Sequence, residues 1–184
     1  MRILTWDLEI RKPLESIDGG WEAVRNGAAG ISCLAIRDNE TGRQHLYDEH
    51  TLDQAADHLN EADLLVGFNS LSFDSAVLRG VSGREICCPQ YDILAKIWEA
   101  LGRRQKGWRL DDVAARCVGL RKSGKGEYAT ALYAQRRFAE LYDYCMGDVH
   151  ITACVFNHIV ANGWVLTPDG DQLHLDPPGT EDLA

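Results

Sequence analysis

Asp7 and Glu9 stand two residues apart at the close of a short apolar run, Arg2 to Leu8. Such a run reads as a buried strand, and because strand side chains alternate, both carboxylates leave it from one face. Two acids held that close repel each other unless a cation lies between them. The spacing alone is weak, since Asp38 and Glu40 share it inside the turn Asn39-Glu-Thr-Gly42, where acids are ordinary; the strand ahead of Asp7 makes the difference. A third carboxylate, Asp74, ends Gly67-Phe-Asn-Ser-Leu-Ser-Phe-Asp74, a stretch that leaves a strand and enters a helix. Ligands gather beyond the carboxyl ends of strands in open α/β sheets, so Asp74 could face the first pair, although helix capping alone would explain it. Tyr144 and Asp148 are four residues apart, which puts a phenol and a carboxylate on one face of a helix. A half-buried core aromatic beside a surface acid is the plainer account of that pair, but no other Tyr in the chain has an Asp four residues later.

The elements that must position these groups follow from periodicity. Apolar strands are expected at Arg2–Leu8, Ile31–Arg37, Arg43–Asp48 and Leu64–Phe68, the second and third forming a hairpin. Thr51 is expected to cap a helix on which Leu52, Ala55, Ala56 and Leu59 share a face. Further helices are read at Phe73–Leu78, Asp92–Leu101, from Leu110 to Cys117 and from about Arg137 to Ala161, with a short strand at Cys87–Tyr91. Trp164–Leu166 and Gln172–Leu175 flank Pro168-Asp-Gly-Asp171 as a terminal hairpin before a polar tail. The result is a mixed α/β domain with its early strands central, spanning residues 1–184 as one unit.

The three carboxylate-bearing elements, in this order, resemble the DEDD superfamily of 3′-5′ exonucleases, in the branch that uses a tyrosine. Asp7-Leu8-Glu9 matches the first motif, Asn69 through Phe73 and Asp74 the second, and Tyr144 with Asp148 the third. The second is most similar to that of proofreading domains in family B DNA polymerases. The histidine branch would need His five residues before Asp148, where this chain has Asp143, so His150 is incidental. The resemblance spans residues 1–161 and implies a ribonuclease H-like α/β fold, a mixed five-stranded sheet flanked by helices. It also implies 3′-end hydrolysis of single-stranded nucleic acid, DNA in preference to RNA, with two divalent ions held by Asp7, Glu9, Asp74 and Asp148. Asp7 would bridge both ions, Glu9 and Asp148 would complete the site that activates water, and Asp74 would support the second ion through water. Tyr144 would orient the attacking water, since a phenol with a pKa near 10 is a poor base at neutral pH. The chemistry agrees: oxygen-only ligands suit Mg²⁺ or Mn²⁺ rather than zinc, and ions roughly 3.5–4 Å apart can activate water and stabilise a leaving oxygen.

Asn69 and Phe73 fall within the second motif and are candidate contacts for a terminal nucleotide, although Asn69 could simply fix a turn. Trp21, in the Gly-rich link Asp18-Gly-Gly-Trp-Glu22, could stack on a base or pack over a sheet edge. Gly119-Leu-Arg-Lys-Ser-Gly-Lys125-Gly126 approaches a phosphate-cradling loop but lacks the Ser or Thr after Lys125 and follows a helix rather than a strand. Lys125 is therefore read as part of a basic loop that touches substrate phosphates or is merely solvated. The rival readings are a structure-selective endonuclease or an exoribonuclease on the same fold, and a binding module without catalysis. A separately encoded replication or repair protein is an expected partner.

The composition bounds these readings. The chain has 184 residues, 45% hydrophobic and 26% charged, with a net charge of −9. No apolar run reaches the roughly 20 residues of a membrane helix, and Asp7 interrupts the start too early for a signal peptide, so a cytoplasmic protein is expected. The negative total argues against nucleic acid until its distribution is read: the span from Lys96 to Arg137 carries +7 and the remainder −16. Trp108, Tyr128 and Tyr133 interleave with that basic span, a pattern suited to single-strand binding. The six cysteines are too sparse for a disulfide scaffold and read as buried thiols.

Overall fold

A computed structural model describes residues 1–122 and 126–179. Its centre is a strand of alternating character, β1 (Ile3–Ile10). Leu4, Trp6 and Leu8 pack into one core, while Ile3, Thr5, Asp7 and Glu9 look to the other side of the sheet. β2 (Ile31–Asp38) lies antiparallel to β1, and β3 (Gln44–Asp48) returns antiparallel to β2 through the expected turn. β4 (Leu64–Gly67) and β5 (Gln90–Asp92) add in parallel on the other side of β1, giving the order β3-β2-β1-β4-β5. The predicted five-stranded mixed sheet is thus present.

Helices cover both faces. On the Leu4, Trp6 and Leu8 side lie α1 (Gly20–Arg25), α2 (Leu52–Leu59) and α3 (Asp74–Ser82). On the opposite side, α7 (Phe138–Asn162) runs beneath β2, β1 and β4. Its first half joins α6 (Gly126–Ala134) over Cys33 and Ala35. Its second half meets α4 (Ile93–Leu101) and α5 (Leu110–Cys117) over Leu64, Val66 and Tyr91. Gly163, with φ of 73°, ends α7 in the left-handed conformation that closes many helices. The terminal hairpin, β6 (Trp164–Leu166) with β7 (Gln172–His174), pairs with itself rather than with the sheet. Val165 and Leu175 anchor it in the second core. Among the described residues no helix is long and apolar enough to cross a membrane.

Four local readings change. Trp21 sits on a helix that the Gly-rich sequence concealed, and α6 was not expected at all. The Thr51 hydroxyl does not cap α2: it accepts from the Asp48 N–H and donates to the Asp48 carboxylate, both at 3.0 Å. Asp92 ends β5 and caps α4 rather than joining the helix. Cys87 is exposed, whereas Cys33 and Cys145 are fully buried, and all six thiols are free.

One close approach fixes α1 against α3. A Cβ built on Gly80 would stand 2.1 Å from the Arg25 carbonyl oxygen, and one on Gly27 would stand 2.4 Å from the Gly80 oxygen. Gly80→Ala should therefore push α1 off α3 and cost about 1–3 kcal/mol, the usual scale for overpacking. A urea midpoint equal to that of the wild type would show that the contact yields freely.

Candidate metal centre

The alternation of β1 decides where Asp7 and Glu9 go: both leave on the face covered by α7. There Tyr144 and Asp148, one turn apart on α7, come up beneath them. One carboxylate oxygen from each of Asp7, Glu9 and Asp148 can be chosen so that all three lie within 4.8 Å of one another. Glu9 is 8% exposed and Asp148 3%. Asp74, 4% exposed, opens α3 and accepts the Leu8 N–H at 3.3 Å, so it stands against β1 between the two motif acids. The register of β1 on β2 slips between Glu9 and Ile10, and the Ser32 hydroxyl donates to the Glu9 carbonyl at 2.9 Å. Bulges of this kind re-aim side chains at the ends of strands.

Burial and mutual repulsion dominate the electrostatics. Removal from water holds the Asp7 carboxyl well above the usual range, and Asp74, Glu9 and Asp148 raise it further. Glu9 is raised by burial and then by Asp148. Asp74 is pushed up to about 7 by burial, against the pull of the N–H groups it accepts. Burial likewise raises Asp148, while Lys122 opposes the rise. Among the described residues, Lys122 brings a cation to this cluster: its ammonium pairs with Asp148 and lies 5.2 Å from the centre of the Tyr144 ring. Burial alone would lower its pKa, but Asp148 and Asp7 hold it above the ordinary lysine value. Burial and Asp148 raise the Tyr144 phenol, whose oxygen is enclosed without a well-formed hydrogen bond among the described residues. An acidic cluster of this kind, short of countercharge and built only from oxygen donors, could hold hard divalent cations.

The other expected contacts are dispersed around this cluster. Asn69 adopts φ of 66° in the loop ahead of Asp74. Phe73 stacks on Trp21 with ring centroids 5.5 Å apart and planes 21° apart, and the Arg25 guanidinium lies 5.5 Å from the Trp21 ring centre. Trp21 thus has a protein partner beside the second motif. Lys125 lies outside the described residues. A cavity of about 500 Å³ opens along α7 beside Tyr144 and Asp148, lined also by Arg121, Tyr128 and Asp143. His150 borders it and approaches Cys154 rather than the acids.

The basic span is less of a free surface than its count implies. Lys96, Arg121, Lys122 and Arg137 pair with Glu99, Asp111, Asp148 and Glu140. Arg116 donates to the carbonyls of Leu166 and Gly107. Trp108 is a core residue at 3% exposure, and the Tyr133 hydroxyl donates to Glu49, so of the three interleaved aromatics only Tyr128 is substantially exposed. Lys122 was the residue hardest to find from sequence. It is one of several bases in a polar loop, and no spacing ties it to Asp148.

These shifts set a pH dependence. A carboxyl whose pKa is raised on folding binds its proton more tightly in the folded chain, so its ionisation costs stability. For Asp74 the loss develops as pH rises from about 4, the unfolded value, to about 7. Asp74→Asn keeps an acceptor for the Leu8 N–H and removes the ionisation. In metal-free buffer it should melt a few degrees above the wild type near about pH 8 and alike near about pH 4. A wild type that is the more stable protein at the higher pH would reverse the sign.

No family model matches the chain, and no curated protein sequence matches it. Among solved structures it is similar to the family B DNA polymerase of the hyperthermophilic archaeon Pyrobaculum calidifontis, with a TM-score of 0.62 at 17% identity. The superposition covers 86% of this chain and 24% of that one, so the chain spans about a quarter of the polymerase's length. Together with the strand order, that likeness gives a ribonuclease H-like α/β fold, a mixed five-stranded sheet flanked by helices.

Proposed function

We propose that the protein is a metal-dependent 3′-5′ exonuclease acting on single-stranded nucleic acid, DNA in preference to RNA. One observation carries the reading: Asp7, Glu9 and Asp148 bring carboxylate oxygens within 4.8 Å of one another, Asp7 half-buried and the other two buried, with buried Asp74 against β1 and Tyr144 one turn from Asp148. The likeness to a family B DNA polymerase supports nucleic acid as the substrate. The four carboxylates fit Mg²⁺ or Mn²⁺, because their donors are all oxygen and their repulsion is only partly offset by Lys122. Two such ions, when bound, supply an activated water and charge stabilisation for the leaving oxygen of a phosphodiester.

The chain's own groups do the rest. Asp7, Glu9 and Asp148 would hold cations on the α7 side, with Asp74 behind them against β1. Tyr144 stays a neutral phenol throughout the working pH range, because burial and Asp148 raise its pKa. It therefore orients the attacking water through its hydroxyl and does not abstract the proton. Lys122 restrains Asp148 and adds positive charge where the scissile phosphate must approach. The cavity along α7 offers room for the terminal nucleotide, and Asn69 and Phe73 lie in the loop that leads into Asp74. An exonuclease reading is preferred to an idle binding module because a buried acidic cluster without a cation is costly to maintain.

Purified protein with Mg²⁺ or Mn²⁺ should shorten 5′-labelled linear single strands from the 3′ end, releasing nucleoside monophosphates, and should leave closed circular single strands intact. Cleavage of the circle would establish an endonuclease instead, and faster shortening of RNA would reverse the substrate preference. Chelation by EDTA and Asp7→Ala should each reduce activity to background. Tyr144→Phe should lower kcat by roughly 100-fold with little change in KM, since it removes a hydroxyl that acts on the attacking water. Activity surviving Asp7→Ala would overturn the assignment.

A further inference from the structure

Asp92 is a further buried acid, 2% exposed, and the metal-centre reading gives it no task. Its carboxylate accepts four backbone N–H groups from two segments. Oδ1 takes those of Leu94 at 3.0 Å and Ala95 at 3.2 Å, which cap α4, and that of Asn69 at 2.8 Å. Oδ2 takes that of Leu71 at 3.0 Å. A helix cap needs one acceptor atom, and Ser, Thr or Asn would serve as well. The second oxygen and the bond to Asn69 therefore do something other than cap α4: they hold the loop between β4 and α3.

That loop is in need of holding. Asn69 sits at φ of 66°, a left-handed conformation that Asn tolerates better than other side chains but that is still less favourable than extended backbone. The same turn is closed by the Phe73 N–H on the Asn69 carbonyl at 3.0 Å and the Ser75 N–H on the Ser70 carbonyl at 2.9 Å. It hands the chain directly to Phe73, stacked on Trp21, and to Asp74. Leu71, whose N–H is tied down, exposes 48% of its surface beside them. The loop is thus clamped through its backbone, with Ser70 buried, while Leu71 stays exposed and Asn69 and Phe73 partly so.

We propose that Asp92 is a positioning residue: its carboxylate pre-organises the Asn69–Leu71 loop so that Asn69, Leu71 and Phe73 meet the substrate's 3′ end without an ordering cost at binding. The assignment rests on the nuclease reading above. Ordering a loop in advance improves binding chiefly by sparing that cost, so losing the clamp raises KM and leaves kcat largely in place.

Asp92→Asn separates the two roles. Its amide oxygen can still cap α4, but its NH₂ meets the Leu71 N–H donor to donor. The variant should melt near the wild type and keep amide-exchange protection at Leu94 and Ala95. Protection at Leu71 should fall, and KM for a linear single strand should rise about tenfold. Asp92→Ser, a good cap with one short acceptor, should give at least the same rise and guards against misfolding of the Asn variant. Anisotropy of a labelled single-stranded oligonucleotide in EDTA reads the same loop without turnover, and Kd should also rise about tenfold. Wild-type KM and Kd in either variant would overturn the proposal, as would a loss confined to kcat. A wild type that binds the oligonucleotide but never shortens it would instead overturn the nuclease reading, leaving the Kd comparison to judge Asp92.

Discussion

Four acids that repel one another are held together, three of them buried and Asp7 half-buried, and the rest of the structure answers that constraint. Asp7, Glu9 and Asp148 could each relax by turning toward solvent, yet each is fixed on an element packed on a hydrophobic cluster. β1 cannot rotate, because Leu4, Trp6 and Leu8 are buried on its other face. α7 cannot withdraw, because its two halves close two further cores. Packing energy spread over the whole chain thus offsets an electrostatic cost concentrated at one end of β1, the pattern expected where strain is stored at a functional site.

Backbone N–H groups and one lysine do the local work. The Leu8 N–H steadies Asp74, Lys122 pairs with Asp148, and Asp92 gathers the amides of the neighbouring loop. Burial first, and then repulsion between carboxylates, keeps the proton affinities of these acids raised, and among the described residues Lys122 offsets this only in part, so the cluster suits multivalent cations. Outside the cluster, many of the basic side chains that give the chain its local positive span are taken up by ion pairs or carbonyls. Charge counted along a sequence therefore overstates the field available to a nucleic acid; pairing in space decides it.

The strands and the hairpin turn were legible as short apolar runs bounded by turn residues, β2 and β4 being buried on both faces, and the faces of α2, α4 and α5 by the 3.6-residue period that one-sided burial imposes. α1 and α6 were not. The first lies in a Gly-rich link and is only six residues long, and the second is apolar without a clear stripe, so neither carries the amphipathic pattern that marks a surface helix. Thr51 failed as a cap for a similar reason, since Asp48 offered its hydroxyl better partners than the helix end did. Trp108 was misread because a basic neighbourhood says nothing about which way an aromatic ring turns.

For the candidate site, sequence alone determined the local placement of the acids and the phenol: Asp7 with Glu9 by strand alternation, Tyr144 with Asp148 by the helical turn, and Asp74 by its place at a strand-to-helix junction. Those are relations within single elements, set by backbone geometry that every residue obeys. Only the tertiary structure decided that these elements share one end of the sheet, that Lys122 meets Asp148, that Trp21 leans on Phe73, and that Asp92 grips the Asn69 loop. Such contacts join residues from separate elements, and they exist only because the cores on the two sides of β1 bring those elements together.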